Sequence, residues 1–381
     1  MDGSTNNNCI SIAFTGGGTG GHIYPGLAVA VALKQQLSCR IFWIGSGAIL
    51  DKSIVQEAGI EFFSIPAGKL RRNFSLRNFT DMFRVFFGFI AARKILKREK
   101  PIILFSKGGF VSVPPCAAAS LLGIPVFTHE SDYSPGLATR INAVFAAKGA
   151  GRIITAYPET AERLPEKVRN KVSVLGNPVR EVFRNADPEK GRAFLDADKN
   201  QKILLVLGGS QGALELNELV TECLEQLTKN YLVVHQYGAN WTPKDALSYK
   251  PYPYIKDEMP HVLAAANLVL ARSGAGTVWE SAVAGKPMIL LPLAGIGTRG
   301  DQLENARFFE KAGAAIVLPP EKRTASDLHT VMDSLSDEIV QTMAAASRMI
   351  GKTDGTTAIV QLLIETIQQT KTDGITKREE I

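Results

Sequence analysis

The chain has 381 residues, 45% hydrophobic and 21% charged, which excludes a disordered or fibrous protein and suits two globular domains. A formal charge of +6 leans toward an anionic partner, be it nucleic acid, phospholipid or a phosphorylated metabolite. Four cysteines (Cys9, Cys39, Cys116 and Cys223) lie far apart with no CxxC pair, which excludes a cysteine metal site or disulfide framework and favours a reducing compartment.

The opening "MDGSTNNN" lacks the basic start and apolar core of a signal peptide, and no run of about 18 apolar residues follows, so a soluble chain is expected. Short apolar strands then alternate with helical stretches, the pattern of parallel sheets built from βαβ units. Strands are predicted near Ser11–Phe14, Ile41–Ile44, Phe62–Ile65, Ile102–Phe105, Val126–Thr128, Ile153–Thr155 and Val172–Leu175. "GNPVREVF", followed by the polar helical stretch "DPEKGRAFLDADKNQ", is the candidate junction between domains. A second series covers Ile203–Leu207, Leu232–His235, Leu268–Ala271, Met288–Leu291 and Ala315–Leu318. After Thr356 an amphipathic helix, "TAIVQLLIETIQQ", precedes a polar tail, "TKTDGITKREEI", expected to fray. The expected fold class is therefore α/β, with domains at 1–178 and 179–350 and a C-terminal segment, 351–381, that packs back on the first domain.

Each half opens with the same grammar of apolar strand, Gly-rich turn and helix: "IAFTGGGTGGHIYPGLAVAVAL" and "LLVLGGSQGALELNELVTECL". Such a turn presents unpaired backbone N–H groups and the positive end of a helix dipole, which suits phosphate. Glycine leaves room for close approach of the ligand. A dinucleotide would also need an acid ending the second strand, yet "RIFWIGSGAILD" has none before Asp51, so that reading comes second. A third turn, in "RSGAGTVWESAVAGKPMILLPL", places Glu280 about two turns into its helix, where a carboxylate could hold the hydroxyls of a ribose. "GTRGDQLENA" adds Asp301, Gln302 and Asn305, groups suited to sugar hydroxyls or to an ordinary polar helix start.

Taken in order, "GGTGGHIYPGLAVA", "SKGGFVSVPPCAAASLLGIPVFTHESDYSPGLATR", "LGNPVR", "LGGSQGA" and "RSGAGTVWESAVAGKPMILLPL" resemble the MurG family, peripheral membrane glycosyltransferases of bacterial cell-wall synthesis. The likeness spans roughly residues 10 to 365. It implies a GT-B fold, two Rossmann-like domains facing a cleft, and transfer of N-acetylglucosamine from UDP-GlcNAc to the C4 hydroxyl of lipid I to make lipid II. The first domain would bind the acceptor and the membrane, and the second UDP-GlcNAc. The resemblance also implies residence on the cytoplasmic face of the cell membrane, cell-wall or division proteins as partners, and neither metal nor cofactor.

Carried over by position, Thr19, Gly20 and Gly21 lie near the diphosphates, and His22 is the leading candidate base, with Glu130 its rival or its orienting partner. Arg180, Ser210 and Gln211 match contacts to the donor nucleotide and its phosphates, and Ile255 a backbone contact to uracil. Ala275, Gly276 and Thr277 match the stretch near the sugar, Glu280 the ribose contact, and Gln302, with Asn305 nearby, the amide reading a GlcNAc hydroxyl. Many members have "HEQN" where this chain has "HESD", which places Asp132 at a donor-sensing Asn position, and a longer basic run where this chain reads "TRGDQ".

An alcohol acceptor needs a base, and a neutral imidazole suits that task near neutral pH. The literal Asp196-Ala197-Asp198 of "RAFLDADKNQ" has the pattern of metal-dependent transferases but lies away from every motif and is expected on the surface. Residues 68 to 101 carry ten Lys/Arg against Asp81 and Glu99, interleaved with Phe74, Phe79, Phe83, Phe86, Phe87 and Phe89. Docking on an anionic membrane through residues 69–98 fits this segment best, with "KLRRNFSLRNF" as the exposed part and Phe86 to Ile95 largely in the core. No recognised nucleic-acid module is present. The rival readings are a transferase of the same fold with another lipid acceptor, such as diacylglycerol, and a non-catalytic nucleotide-sugar-binding protein.

Overall fold

The computed structural model describes residues 10–18, 20–68, 76–209, 212–293 and 300–379, without the side chains of 76–80 and 373–379. The chain divides into one unit of residues 1–178 with 354–381 and another of 179–353. The first unit holds a wholly parallel sheet of β1 (Ile10–Thr15), β2 (Cys39–Gly45), β3 (Glu61–Ser64), β4 (Leu104–Ser106), β5 (Val126–Glu130), β6 (Arg152–Thr155) and β7 (Val172–Val174). Their order is β3-β2-β1-β4-β5-β6-β7, with Ile12 beside Ile41 and Phe14 beside Phe105.

Both faces of this sheet are covered, which is why its strands read as continuous apolar runs rather than alternating ones. On one face Ile12, Phe14, Trp43 and Phe105 pack with α1 (Gly20–Gln36) through Ile23 and Leu33. The terminal helix Gly355–Glu379 joins the same cluster through Ile359, Val360, Leu363 and Ile367. On the other face Ala13, Phe42, Ile44 and Leu104 meet α3 (Leu76–Glu99), α4 (Val113–Leu121) and α5 (Leu137–Ala146). Trp43 is fully buried because Gly26 of α1 leaves it space: a Cβ there would lie 2.6 Å from Cη2. The indole N–H donates to Gly16 O at 2.9 Å, so its burial leaves no polar atom unmet.

The second unit holds β8 (Ile203–Leu207), β9 (Leu232–Gln236), β10 (Tyr249–Tyr252), β11 (Leu268–Ala271), β12 (Met288–Leu290) and β13 (Ala315–Val317), parallel in the order β10-β9-β8-β11-β12-β13. β10, "YKPY", is absent from the predicted strands. It is short, polar and contains Pro251, which an edge strand tolerates because one side of its backbone needs no partner.

Three other expectations are corrected. The tail expected to fray is helical to Glu379, continuing the helix that begins at Gly355. The polar stretch after "GNPVREVF" is helical only over Pro188–Phe194 and then turns at Asp196, whose φ is +47°. β4 starts at Leu104, two residues later than predicted.

Each sheet reverses its strand order once, between β1 and β4 and between β8 and β11. Connections leave to opposite faces at such a point, opening a crevice at the carboxyl ends of the two strands.

Candidate active site

In the first unit, β1 leads through Gly16–Gly18 into α1, and β4 leads through Lys107-Gly108-Gly109 toward α4. Gly18, Gly108 and Gly109 have φ of +92°, +87° and +78°, conformations a side chain would strain. The two turns press together so closely that a Cβ on Gly109 would lie 2.5 Å from Gly17 O. His22, in the first turn of α1, stands over them. Its Cδ2 lies 3.4 Å from the Cβ position of Gly109, and Nδ1 and Cε1 lie 3.9 Å from that of Gly108. The imidazole is half-buried, beside the helix start at Gly20 and Gly21. Thr19 lies outside the described residues.

Asp51, the acid found too late for a dinucleotide site, has another use. Its Oδ2 accepts the N–H of Gly18 at 2.8 Å, bracing the glycine turn from α2 (Ile49–Glu57). Glu130 is buried at the end of β5. Its Oε1 accepts the Asp132 N–H (3.1 Å) and its Oε2 the Gly136 N–H (3.0 Å), so the following loop wraps around the carboxylate. Asp132 is half-buried in that loop. His129, one residue earlier, donates from Nε2 to Gly176 O (3.0 Å). Burial first, then nearby Lys107, hold its pKa well below the ordinary histidine range, which makes it a neutral core residue rather than a base.

In the second unit, the turn after β8 contains Gly209 and Gly212, with φ of +86° and +79°. Ser210 and Gln211 between them lie outside the described residues. β11 leads through Arg272-Ser273-Gly274 into the helix Ala275–Val283. The space where a Cβ on Gly274 or Gly276 would stand is open to 4 Å. A helix start leaves its first N–H groups without intrahelical partners, so Ala275, Gly276 and Thr277 offer an unobstructed seat for an anion.

Glu280, further along that helix, places Oε1 3.7 Å from Nη2 of Arg180. Burial pushes its carboxyl up to about 7 despite the pull of Arg180. The guanidinium of Arg180 lies over the Phe183 ring, 4.9 Å from its centre, which fixes its plane. Asn305 is 0% exposed, and its Nδ2 donates to Ser273 O at 3.2 Å. Gln302 accepts from the Leu293 N–H through Oε1 (2.9 Å), while its main-chain O accepts from Ser273 Oγ (2.8 Å). Asn305 thus braces the turn from below, whereas Gln302, half-buried, lies nearer the surface. The amide of buried Ile255 donates to Gln236 Oε1 at 2.9 Å.

Several residues of this machinery escaped the sequence reading. Arg272 and Arg323 both bond the carboxylate of Glu215, at 2.7 Å and 2.9 Å, beside the turn after β8. Burial raises Glu215, but hydrogen bonds from Arg323 and then Arg272 outweigh it and hold the carboxyl low. Lys107 was also missed, although "SKGGF" repeats the strand-then-glycine pattern of the other turns.

Elsewhere, Asp196 and Asp198 are exposed on the turn after the Pro188–Phe194 helix. A cavity of about 510 Å³ lined by Lys202, Lys229, Tyr231 and Asp333, among others, sits at the amino ends of β8 and β9, opposite the glycine turns. On α3, Phe86 and Phe87 are 57% and 56% exposed, and Met82, Phe83 and Ile90 join them on one face. The expectation that Phe86 to Ile95 lies largely in the core is thereby corrected: Ala92 and Leu96 are buried, with Phe89 and Ile95 packed beside them. Of "KLRRNFSLRNF", residues 69–75 lie outside the described residues.

Two doubly wound parallel domains, each with glycine turns where its strand order reverses, are the architecture of the GT-B class, and the family match makes this chain one of its glycosyltransferases. The chain belongs to glycosyltransferase family 28: the N-terminal domain of that family matches residues 12–150 and the C-terminal domain residues 203–363. A UDP-N-acetylglucosamine--N-acetylmuramyl-(pentapeptide) pyrophosphoryl-undecaprenol N-acetylglucosamine transferase of Treponema denticola is 52% identical over 88% of this chain and 92% of its own length. The enzyme of the same name from Clostridium perfringens is 41% identical over 82% of this chain and 86% of its own. The crystal structure of Acinetobacter baumannii MurG superposes with a TM-score of 0.73 at 26% identity, covering 93% of this chain and 99% of that one.

Proposed function

We propose that this chain transfers N-acetylglucosamine from UDP-N-acetylglucosamine to the C4 hydroxyl of the muramoyl sugar of lipid I, making lipid II. The observation that carries this reading is the 52% identity to the Treponema denticola transferase across most of both chains. The glycine turns at both strand reversals support it. The second unit takes the donor: Ala275 to Thr277 and Arg180 meet the diphosphate, Glu280 the ribose hydroxyls, Gln302 the sugar and the Ile255 backbone the uracil. The first unit takes the acceptor, with the glycine turns around β1 and β4 beside its diphosphate.

His22 acts as the base. The C4 oxygen attacks the anomeric carbon from the face opposite the leaving phosphate, the C1–O bond to phosphate breaks, and the electron pair leaves on UDP. The proton passes to the imidazole as the new glycosidic bond forms, with inversion at the anomeric carbon. Charge developing on the β-phosphate is met by helix-start N–H groups and Arg180. Glu130, whose two oxygens already hold the loop to Gly136, shapes the acceptor side. UDP release from UDP-GlcNAc tests the assignment: it should depend on a lipid I analogue, and equal release with diacylglycerol, or with no acceptor, contradicts it.

The enzyme works as a peripheral protein on the cytoplasmic face of the cell membrane. No helix among the described residues is long and apolar enough to cross a bilayer. The exposed face of α3, with Arg84, Lys94, Lys97 and Arg98 also at the surface, is the membrane-docking element. Co-sedimentation with vesicles should require anionic lipid and weaken with salt.

A further inference from the structure

Lys107 puts a charged side chain where the core begins. It follows β4 directly, its N–H donates to Thr15 O at 2.8 Å, and it is 2% exposed. Its Cβ lies 3.2 Å from where a side chain on Gly16 would start, so its stem packs beneath the first glycine turn. Its Nζ donates to Ser131 Oγ at 2.7 Å, and that hydroxyl donates in turn to Asn177 Oδ1. Glu130 and Asp132 attract the ammonium from the same segment. The lysine thus joins three elements at the strand reversal of the first sheet: the turn after β1, the turn after β4 and the loop after β5. Burying an ammonium is unfavourable, and an aliphatic side chain would pack there without that penalty.

The proposed reaction brings an anionic diphosphate to a turn that already has two carboxylates, Glu130 and Asp132, close by. We infer that Lys107 is a positioning residue for acceptor binding, tying the Glu130–Asp132 segment beneath the glycine turn and offsetting its negative charge. This inference rests on the acceptor assignment made above. Burial lowers Lys107 to about 8, against the opposing pull of Glu130 and Asp132. The cation is therefore present at neutral pH and is lost as pH rises through 8. The other titratable groups around it are His129 on β5, held neutral by burial, and His22 on α1, whose ring rests on the adjoining Gly108. Asp51 on α2 is engaged by the Gly18 N–H.

The test measures KM for a lipid I analogue and for UDP-GlcNAc between pH 6.5 and 9.5, on the wild-type chain, Lys107→Met, and Lys107→Met with Asp132→Asn. In the wild type, acceptor KM should rise about tenfold across this range, while donor KM should not rise, falling instead as Glu280 ionises near pH 7. Lys107→Met should show the high acceptor KM at every pH, and the added Asp132→Asn should recover most of the loss. A role in packing alone would change the melting temperature without this acceptor-specific pH dependence. A flat wild-type acceptor profile, or equal losses for donor and acceptor in Lys107→Met, overturns the inference. The wild-type profile decides the matter even where Lys107→Met does not fold. A wild-type chain that fails to glycosylate lipid I at all overturns the functional reading and this inference with it.

Discussion

Arg180 and Glu280 face each other across 3.7 Å in the second unit, yet the pair leaves Glu280 poised at about 7 rather than firmly ionised. Desolvation is the larger influence on the carboxyl, and the guanidinium offsets part of it. A ribose hydroxyl donating to this carboxylate would favour its charged form. Binding of UDP-GlcNAc near pH 6.5 should then release a fraction of a proton. Calorimetry in buffers of different ionisation enthalpy measures that release, and Glu280→Gln should abolish it. Proton release unchanged in the variant would detach Glu280 from the nucleotide.

The same group gives the second unit a pH-dependent stability of defined sign. The folded carboxyl titrates above its ordinary value of 4.5, so between 4.5 and about 7 the folded state holds a proton that the unfolded state has lost. This contribution therefore lowers stability as pH rises, reaching at most roughly 3 kcal/mol above pH 7. Glu280→Gln should stabilise the unit at pH 8 and be nearly neutral at pH 4 by chemical denaturation. The reverse order would show that the Arg180 pair, not burial, dominates.

His22 is predicted to act on turnover rather than on donor binding. Loss of a positioned base costs about 10²–10⁴-fold in rate. His22→Ala should show such a fall in kcat while its Kd for UDP-GlcNAc, a ligand assigned to the other unit, stays within about twofold. Turnover within a fewfold of wild type would remove His22 as the base.

The apolar face of α3 makes a prediction in which stability and function separate. Phe86 and Phe87 are more than half exposed, so replacing both with Ser should change folding stability by no more than about 0.5 kcal/mol per site. Vesicle binding should drop sharply, with activity on a water-soluble acceptor analogue retained. Unaltered vesicle binding would move the membrane contact elsewhere.

Gly26 tests the packing beneath the first glycine turn. Alanine is ordinarily the better helix former by about 1 kcal/mol, but here its Cβ would stand 2.6 Å from the Trp43 ring. Overpacking of this kind costs about 1–3 kcal/mol, so Gly26→Ala should destabilise the first unit in urea titrations followed by Trp43 fluorescence. A stabilising result would mean that the indole can shift without loss.

Most strands were legible because buried parallel strands leave uninterrupted apolar runs, as in "ILLVL" and "LVLA". β10 was not, since an edge strand needs neither apolar faces nor a free N–H at Pro251. The glycine turns were legible as a repeated pattern. What each polar side chain does within them was not, because that depends on contacts distant in sequence. Asn305 and Gln302 lie three residues apart on one helix, but the Asn305 side chain is sealed against Ser273 O while the half-buried Gln302 side chain turns to the Leu293 N–H. In sequence Asp51 is only an acid too late to end the second strand, and its bracing role comes from Gly18, 33 residues away. The α3 aromatics showed the converse problem: a phenylalanine-rich helix has the same composition whether its rings face the sheet or solvent.

The terminal helix has a consequence for how the chain comes off the ribosome. Ile359, Val360, Leu363 and Ile367 belong to the same cluster as Ile12 and Phe14 of the first strand. Part of one face of the first-made sheet, the part that α1 does not cover, therefore stays open through synthesis of the entire second unit, residues 179–353. The unit begun first is finished last. A nascent chain stalled before residue 355 would leave the apolar surface around Ile12 and Phe14 only partly covered by α1, a holding point for a chaperone.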